Sequence, residues 1–307
     1  MAWFKDFKPK DFFVNLYEKA LETDLLGRAA QVAFYFSFAF FPLLLFLVTL
    51  FGIILGSTES LQRELFEYLA QIMPVSAFEL IRTTMGEIIE SSSGGKLTFG
   101  LLVTLWSASA GIDSLRGALN SVYEVDEDRP YWKTKLQSLL LTFLFIILLG
   151  IALGTLTAGW QMAQAAASAM GYQFSSPWVL TVIQWAGIVV VMLFSTAVVY
   201  SWLPSFEEFR WVWISPGAAV AILLWMVFTG GFRVYLQYFN SYNKAYGSLG
   251  AVIILMLWMY LTGLALLIGG AINSVLTEMA DTSGAKEAQK NEAEHKENEL
   301  KKAERSS

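Results

Sequence analysis

A stretch of 54 consecutive residues, positions 150–203, contains no Asp, Glu, Lys or Arg. A water-soluble domain has too much surface to leave so long a segment uncharged, whereas a lipid bilayer imposes no such demand. The composition agrees, because apolar residues make up 55% of the chain and charged residues only 15%, against about 25% in soluble domains. The sequence therefore predicts an integral membrane protein.

Six segments are long and apolar enough to cross the ~30 Å hydrocarbon core of a bilayer, which takes about 20 residues of helix. Their approximate bounds are 29–56, 97–120, 136–160, 178–203, 211–233 and 249–275. The runs are continuously apolar, which excludes a β-barrel, since barrel strands alternate apolar and polar residues. The expected fold class is an all-α membrane protein, with a six-transmembrane-helix bundle over residues 29–276.

Three further segments lie outside the predicted spans. Residues 1–28 form an N-terminal segment with apolar residues at helical spacing, typical of a helix that lies on the membrane surface or packs under the bundle. Residues 57–96 form an external loop with two apolar stripes, which predict two short amphipathic helices. Residues 277–307 form a charged tail, predicted to be a solvated helix or disordered.

Lys and Arg are distributed unevenly between the two sides of the predicted bundle. Sixteen of the 21 lie on one side, in both termini, around the end of the second span and after the fourth span. Because cytoplasmic loops carry an excess of Lys and Arg, we expect both termini to be cytoplasmic. Trp and Tyr cluster at the predicted helix ends, as membrane-interface anchors do.

The residue types that build most catalytic sites are scarce. The chain has no Cys, its single His lies in the charged tail as His295, and Asp113 is the only carboxylate within the predicted spans. A hydrolytic metal site requires several such ligands that converge on one point. We therefore expect no catalytic residue, metal or other cofactor. The net charge of −5 argues against a nucleic-acid partner.

Polar residues in or beside the spans are the functional candidates, because an ionisable group in hydrocarbon is costly. Asp113 lies about 16 residues into the second span, roughly 24 Å from its outer end, with Arg116 one turn further on. The pair is either a polar gate or headgroup contact, or an interfacial ion pair whose Arg116 reaches towards the headgroups. The other candidates for gating or headgroup binding are Asn120, Gln184, Arg233, Asn240, Asn243 and Asn273.

Small residues and helix breakers mark positions of close helix packing or of kinks. Gly150 and Gly154 have GxxxG spacing in the third span, which favours packing within the chain over dimerisation. Packing, or a kink that lines a cavity, is also predicted at Pro42, Pro216, Gly230, Gly231, Gly269 and Gly270.

Eight short motifs lie along the predicted membrane region. They are LLGRAA at 25–30, FPLL at 41–44, LWSASAG at 105–111, ALNSVY at 118–123, SPGA at 215–218, YGSLGAVI at 246–253, LWMYLT at 257–262 and GGAIN at 269–273. Together, over about residues 25–278, they resemble the YihY/BrkB family of bacterial inner-membrane proteins. Ile272 stands where many members of that family carry an acidic residue, so a role for that acid is not expected here.

The resemblance implies six spans and a location in the bacterial inner membrane. One branch of the family is named as a virulence factor for serum resistance, and an old label calls the family ribonuclease BN. Members have been proposed to move or organise lipids of the envelope.

Three hypotheses for the function remain open. A transporter or flippase-like protein for a lipid or amphiphilic envelope component is favoured by polar groups near both predicted membrane interfaces. The alternative is a non-transporting protein that organises or assembles the envelope. A ribonuclease is disfavoured, because no segment offers a credible nuclease site. The expected partners are membrane lipids, with an envelope protein or a second copy of the chain as further candidates.

Overall fold

The computed structural model describes residues 8–55, 95–169, 177–206, 214–238 and 248–306, with scattered positions between 56 and 94. These residues form seven helices: α1 Pro9–Glu22, α2 Leu25–Leu55, α3 Gly95–Val122, α4 Tyr131–Ala169, α5 Pro177–Trp202, α6 Pro216–Tyr238 and α7 Ser248–Ser306. No strand occurs in the described ranges, so the predicted all-α class is confirmed there. Most of the predicted external loop, 57–96, lies outside them.

Four stretches among the described residues are long and apolar enough to cross a membrane. They are Tyr131–Ala152 in α4, Trp185–Trp202 in α5, Pro216–Gln237 in α6 and Val252–Thr282 in α7. A shorter apolar stretch, Leu25–Phe40, forms the first half of α2. A set of membrane-spanning helices is therefore supported, and the count of six stays a prediction.

The helix ends follow local chemistry rather than hydropathy alone. α6 begins at Pro216, five residues after the predicted start of the fifth span, because Pro lacks an N–H and its fixed φ suits the first helical position. Ser215 caps this helix, since its Oγ accepts a hydrogen bond from the Ala218 N–H at 3.1 Å. α4 continues to Ala169, beyond the predicted end at 160, because its last residues are mostly good helix formers. α7 continues through the predicted tail to Ser306.

A tight turn joins α1 to α2. Asp24 has a φ of 47°, in the left-handed region that Asp tolerates better than most residues. Its Oδ1 accepts a hydrogen bond from the Gly27 N–H at 3.3 Å, and the Thr23 hydroxyl donates to the Lys19 carbonyl at 2.7 Å. The turn brings α1 alongside α2 and α7.

Like α2, α7 contacts most of the other helices among the described residues. It packs closely on α6 and α2, and it also contacts α1 and α3. α2 packs closely on α3, and α4 packs on α3 and α5. α5 packs on α4 and, less closely, on α6, and its Tyr200 hydroxyl donates to the Leu266 carbonyl of α7 at 2.7 Å. Fully buried leucines mark the centre of the core: Leu115, Leu119, Leu141, Leu203 and Leu267. They come from the later part of α3, the first part of α4, the end of α5 and the middle of the apolar stretch of α7, and they pack in one buried cluster.

One face of α4 is a continuous apolar stripe that no other described helix covers. Leu136, Leu140, Phe143, Ile147 and Ile151 recur every three or four residues, and each is between 41% and 51% exposed. Such a surface is unfavourable in water and ordinary in lipid. The stripe therefore supports a membrane location for α4.

Candidate functional site at one end of the bundle

Asp113 on α3 lies between two cationic side chains. Its Oδ1 accepts hydrogen bonds from Arg116 Nη2 at 2.8 Å and from Ser138 Oγ at 2.5 Å, and its Oδ2 accepts from Lys135 Nζ at 2.9 Å. The i,i+3 ion pair with Arg116 is therefore present, as the sequence indicates. The ion pair of Asp113 with Lys135 of α4 could not be predicted from local spacing, because the two residues are 22 positions apart. Lys135 Nζ also lies 4.4 Å from the centroid of the Trp106 ring, a cation–π distance.

Both cations have further partners at the contact between α3 and α4. Arg116 Nη1 donates to the Thr134 carbonyl at 2.9 Å and to Ser138 Oγ at 2.7 Å. Lys135 Nζ donates to Ser109 Oγ at 2.7 Å. Each charge is therefore held by several hydrogen bonds, which fixes its position more firmly than a lone ion pair does.

A second carboxylate, Glu127 in the loop after α3, joins the same cluster. Arg129 Nε and Nη2 donate to its two oxygens at 2.6 and 2.7 Å, as a bidentate pair, and Asn120 Nδ2 donates at 3.1 Å. Arg116 Nε lies 3.4 Å from Glu127 Oε2. Burial by itself raises the pKa of Glu127, but the hydrogen bonds from Arg129 and Asn120 outweigh it and lower the pKa below its ordinary value.

Asn120 and Arg129 connect this cluster to the end of α5. Asn120 is only 6% exposed, and its Oδ1 accepts a hydrogen bond from the Ser205 N–H at 3.0 Å. Arg129 donates to the Leu203 carbonyl at 3.2 Å and to Gln137 Oε1 at 2.8 Å. Asn120 therefore bridges α3, the loop after α3 and the segment after α5.

We call these residues the polar network: Asp113, Arg116, Asn120, Glu127, Arg129, Lys135 and Ser138. The network holds three cations and two carboxylates, so it carries a surplus of one positive charge. Across the described ranges, no group of three His, Asp or Glu side chains lies close enough together to hold a metal ion.

Asn273 on α7 binds the start of α6. Its Oδ1 accepts from the Gly217 N–H at 2.9 Å, and its Nδ2 donates to Ser215 Oγ at 2.9 Å, which satisfies groups that a helix start leaves unpaired. The two backbones touch here, because a Cβ added to Gly217 would overlap the Gly269 carbonyl oxygen. Burial raises the pKa of Tyr123, although a hydrogen bond with Asn273 opposes the shift.

Lys19 of α1 joins three parts of the chain. Its side chain is 5% exposed, and its Nζ lies 2.7 Å from Glu124 Oε1 and 2.6 Å from Glu278 Oε1. Ser274 Oγ donates to the same oxygen of Glu278 at 2.9 Å. Burial by itself lowers the pKa of Lys19, but the hydrogen bonds and charges of the two Glu side chains outweigh it and raise the pKa above 10.5.

Arg233 lies away from the polar network. It is exposed on α6, about 25 Å along the helix from Pro216. Gln184 lies in α5, but its side chain is outside the described residues, as are Asn240 and Asn243 entirely.

The helices continue through the predicted packing and kink positions inside them, namely Pro42, Gly150, Gly154, Gly230, Gly231, Gly269 and Gly270. Gly269 and Gly270 lie in tight contacts, and a Cβ added to Gly270 would lie 2.8 Å from Leu119 Cδ2. A Cβ added to Gly230 or Gly231 would meet no described atom within 4 Å. Among the described residues, close packing therefore involves Gly269 and Gly270, whereas Gly230 and Gly231 lie on an exposed part of α6.

The chain matches one known family over nearly its whole length. Residues 16–295 match the family described as Virulence factor BrkB. The chain is also 29% identical over 267 residues to the ribonuclease-like protein YfkH of Bacillus subtilis (strain 168), an alignment that covers 86% of this chain and 94% of that protein. No solved structure is significantly similar to this chain. The resemblance seen in the motifs is confirmed, and the chain belongs to the virulence factor BrkB family.

Proposed function

We propose that this protein moves a lipid or another amphiphilic component of the envelope across a bacterial inner membrane, and that the polar network closes the cytoplasmic end of its bundle. The carrying observation is the Asp113 cluster. An ionisable group at a membrane helix is costly and commonly marks a transport path. Arg116 and Lys135 are 11% and 9% exposed, whereas Asp113 is 27% exposed, so the carboxylate is the member most open to exchange of its partners.

Six spans with cytoplasmic termini are part of this proposal. α2 has 31 residues and α3 has 28, about 46 and 42 Å of helix, so both are long enough to join the four candidate spans. The end of α3, the start of α4 and the end of α5 all meet at the polar network, which suits helices that alternate in direction through a bilayer. The cations at this end favour the cytoplasmic side.

The charge balance of the polar network favours an anionic substrate. With three cations against two carboxylates, the network has one positive charge to offer. An anionic headgroup can replace Asp113 as the partner of Lys135 or Arg116, and the contact between α3 and α4 then loosens without leaving a cation unpaired. Binding of the substrate and opening of the bundle end are coupled in this way.

The experiment is transport of fluorescent phosphatidylglycerol by the purified protein in liposomes. Asp113→Asn keeps the side-chain size but removes the charge between the two cations, and Arg116→Lys keeps the charge but loses the planar fork. Each variant is expected to slow transport by about tenfold or more. Asp126→Asn removes an exposed carboxylate from the same loop as Glu127 and is expected to transport normally. Normal transport by both folded network variants, or none by the unaltered protein, contradicts the proposal.

A second candidate function is that of a non-transporting envelope organiser. Two observations favour it. The charged groups of the polar network are paired with one another, as groups with a purely structural role are. In addition, α7 continues as a charged helix beyond its apolar part. Cross-linking in native membranes distinguishes the two functions. An envelope protein or a second copy of the chain, captured in a fixed ratio on residues 283–306, together with absent transport, supports the organiser.

We also propose that the chain is not an enzyme. The name ribonuclease-like belongs to the B. subtilis relative. The test is incubation of the purified protein with RNA and divalent metal ions. Cleavage that disappears in Asp126→Asn or Asp128→Asn protein overturns this proposal.

A further inference from the structure

An open cleft of about 410 Å³ lies on the outer surface of the bundle, where the start of α4 meets the end of α5. Its lining includes Arg129, Lys133, Leu136, Leu140 and Trp202. We propose that this cleft binds the phosphate group of an anionic phospholipid from the adjoining leaflet, with the acyl chains along α4. The cleft shares Arg129 with the polar network, but lipid binding there does not require the protein to transport.

The charge of the cleft selects an anionic group. Among the residues that the structure describes, two cationic side chains line it and no acidic one does. Arg129 already holds Glu127, whereas Lys133 is exposed and has no carboxylate within 4 Å among the described residues. Its Nζ lies 5.5 Å from the centroid of the exposed Trp132 ring, at the start of the candidate span Tyr131–Ala152, and interfacial aromatic residues are typical of such span ends. Lys133 therefore supplies an unneutralised positive charge beside a second cation.

The apolar part of the cleft selects a lipid over a soluble phosphate compound. Leu136 and Leu140 line the cleft and are also the first members of the exposed stripe on α4, which continues to Ile151. From Leu136 to Ile151 the stripe is roughly 22 Å long, more than the ~15 Å depth of one leaflet. A phospholipid can place its phosphate beside the cationic side chains of the cleft and its hydrocarbon chains along the apolar stripe of α4.

The test is titration of the full-length protein in detergent with phosphatidylglycerol and with phosphatidylcholine of the same chains, with bound lipid counted by native mass spectrometry. One Lys beside an anionic lipid changes affinity by about fivefold. Lys133→Gln is therefore expected to weaken phosphatidylglycerol binding by about fivefold, Lys133→Glu by about 25-fold, and Lys133→Arg to restore it. Lys290→Gln, on the charged extension of α7, is the matched control and is expected to leave binding unchanged.

Four results would overturn the inference. They are equal binding of the two lipids, unchanged phosphatidylglycerol binding in both Lys133→Gln and Lys133→Glu, displacement of bound lipid by inorganic phosphate alone, and capture of a polypeptide instead of lipid by a photoreactive group at position 140. Lys133 is exposed, so its variants are expected to fold as the unaltered protein does, and melting curves check this. Because the titration has no bilayer to cross, its result is independent of the transport measurement.

Discussion

Replacing Gly217 by Ala inserts a methyl group into the backbone contact between α6 and α7. The new Cβ would overlap the Gly269 carbonyl oxygen and lie 2.6 Å from Asn273 Oδ1. Carbon–oxygen contacts are ordinarily at least about 3.3 Å, so the helices must separate locally by roughly 1 Å. The 2.9 Å hydrogen bond from the Gly217 N–H to Asn273 then weakens or breaks.

The expected loss of stability is the sum of two effects. Overpacking costs about 1–3 kcal/mol, and the weakened hydrogen bond about 1 kcal/mol. The higher helix propensity of Ala offsets part of this, and less than in a helix interior because Gly217 lies in the first turn. The net decrease in the free energy of unfolding is about 2–3 kcal/mol, which corresponds to a fall in melting temperature on the order of 5–10 °C.

The assay is thermal unfolding of the detergent-solubilised protein, followed by loss of its peak in size-exclusion chromatography. Gly230→Ala on the same helix is the matched control, since its Cβ would meet no described atom within 4 Å. That variant should melt at the temperature of the unaltered protein or slightly above it. If Gly217→Ala and Gly230→Ala melt together, α6 and α7 are not in backbone contact and the reasoning is refuted.

Two further predictions concern Lys19 and the topology. Lys19→Met should lower the free energy of unfolding by about 1–2 kcal/mol, because Glu124 and Glu278, each more than half exposed, lose the cation that joins them, whereas Lys10→Met on the exposed face of α1 should not. The raised pKa means that this contribution is complete below pH 10.5 and is lost as the pH rises through the folded-state value, so a difference that stays constant above pH 10.5 contradicts the assignment. The chain has no Cys, so Ser91→Cys and Ser307→Cys each add one labelling site. In intact spheroplasts an impermeant maleimide should reach position 91 directly and position 307 only after permeabilisation, and the reverse pattern rejects cytoplasmic termini.

Features that depend on local spacing were predictable from the sequence. The helical segments follow from long apolar runs, and the pair of Asp113 with Arg116 follows from their i,i+3 spacing on one helix face. The helix ends were less predictable, because the hydropathy of a segment can fall several residues before its helix propensity does along the chain. α4 continues past the apolar run to Ala169 for that reason, and Pro216 sets the start of α6 independently of hydropathy.

Features that depend on how helices pack were not predictable from one sequence. The pair of Lys135 with Asp113 joins residues 22 positions apart, and the pair of Lys19 with Glu278 joins residues 259 positions apart. Each pair depends on how one helix is rotated about its axis and shifted along it relative to the other helix. The apolar runs do not specify either quantity. Lys19 was not among the candidate residues, although its place among the apolar residues of α1 was the one available signal. Asn273 was recognised as a candidate, but its partner Gly217 was not.

The arrangement of contacts separates the bundle into two parts. α2, α3, α6 and α7 hold together through apolar packing and, between α6 and α7, through touching backbones. α4 attaches to this body mainly at α3, where the ion pair of Lys135 with Asp113 lies. α5 attaches to it at α6 and through the hydrogen bond from the Tyr200 hydroxyl to the Leu266 carbonyl of α7. Separation along the boundary breaks polar bonds that water or an incoming charge can replace, but it also uncovers Leu141 and Leu203 of the shared apolar core. The polar network is therefore the part of this boundary that an incoming charge can replace, whereas the apolar core beside it resists separation of α4 and α5 from the other helices.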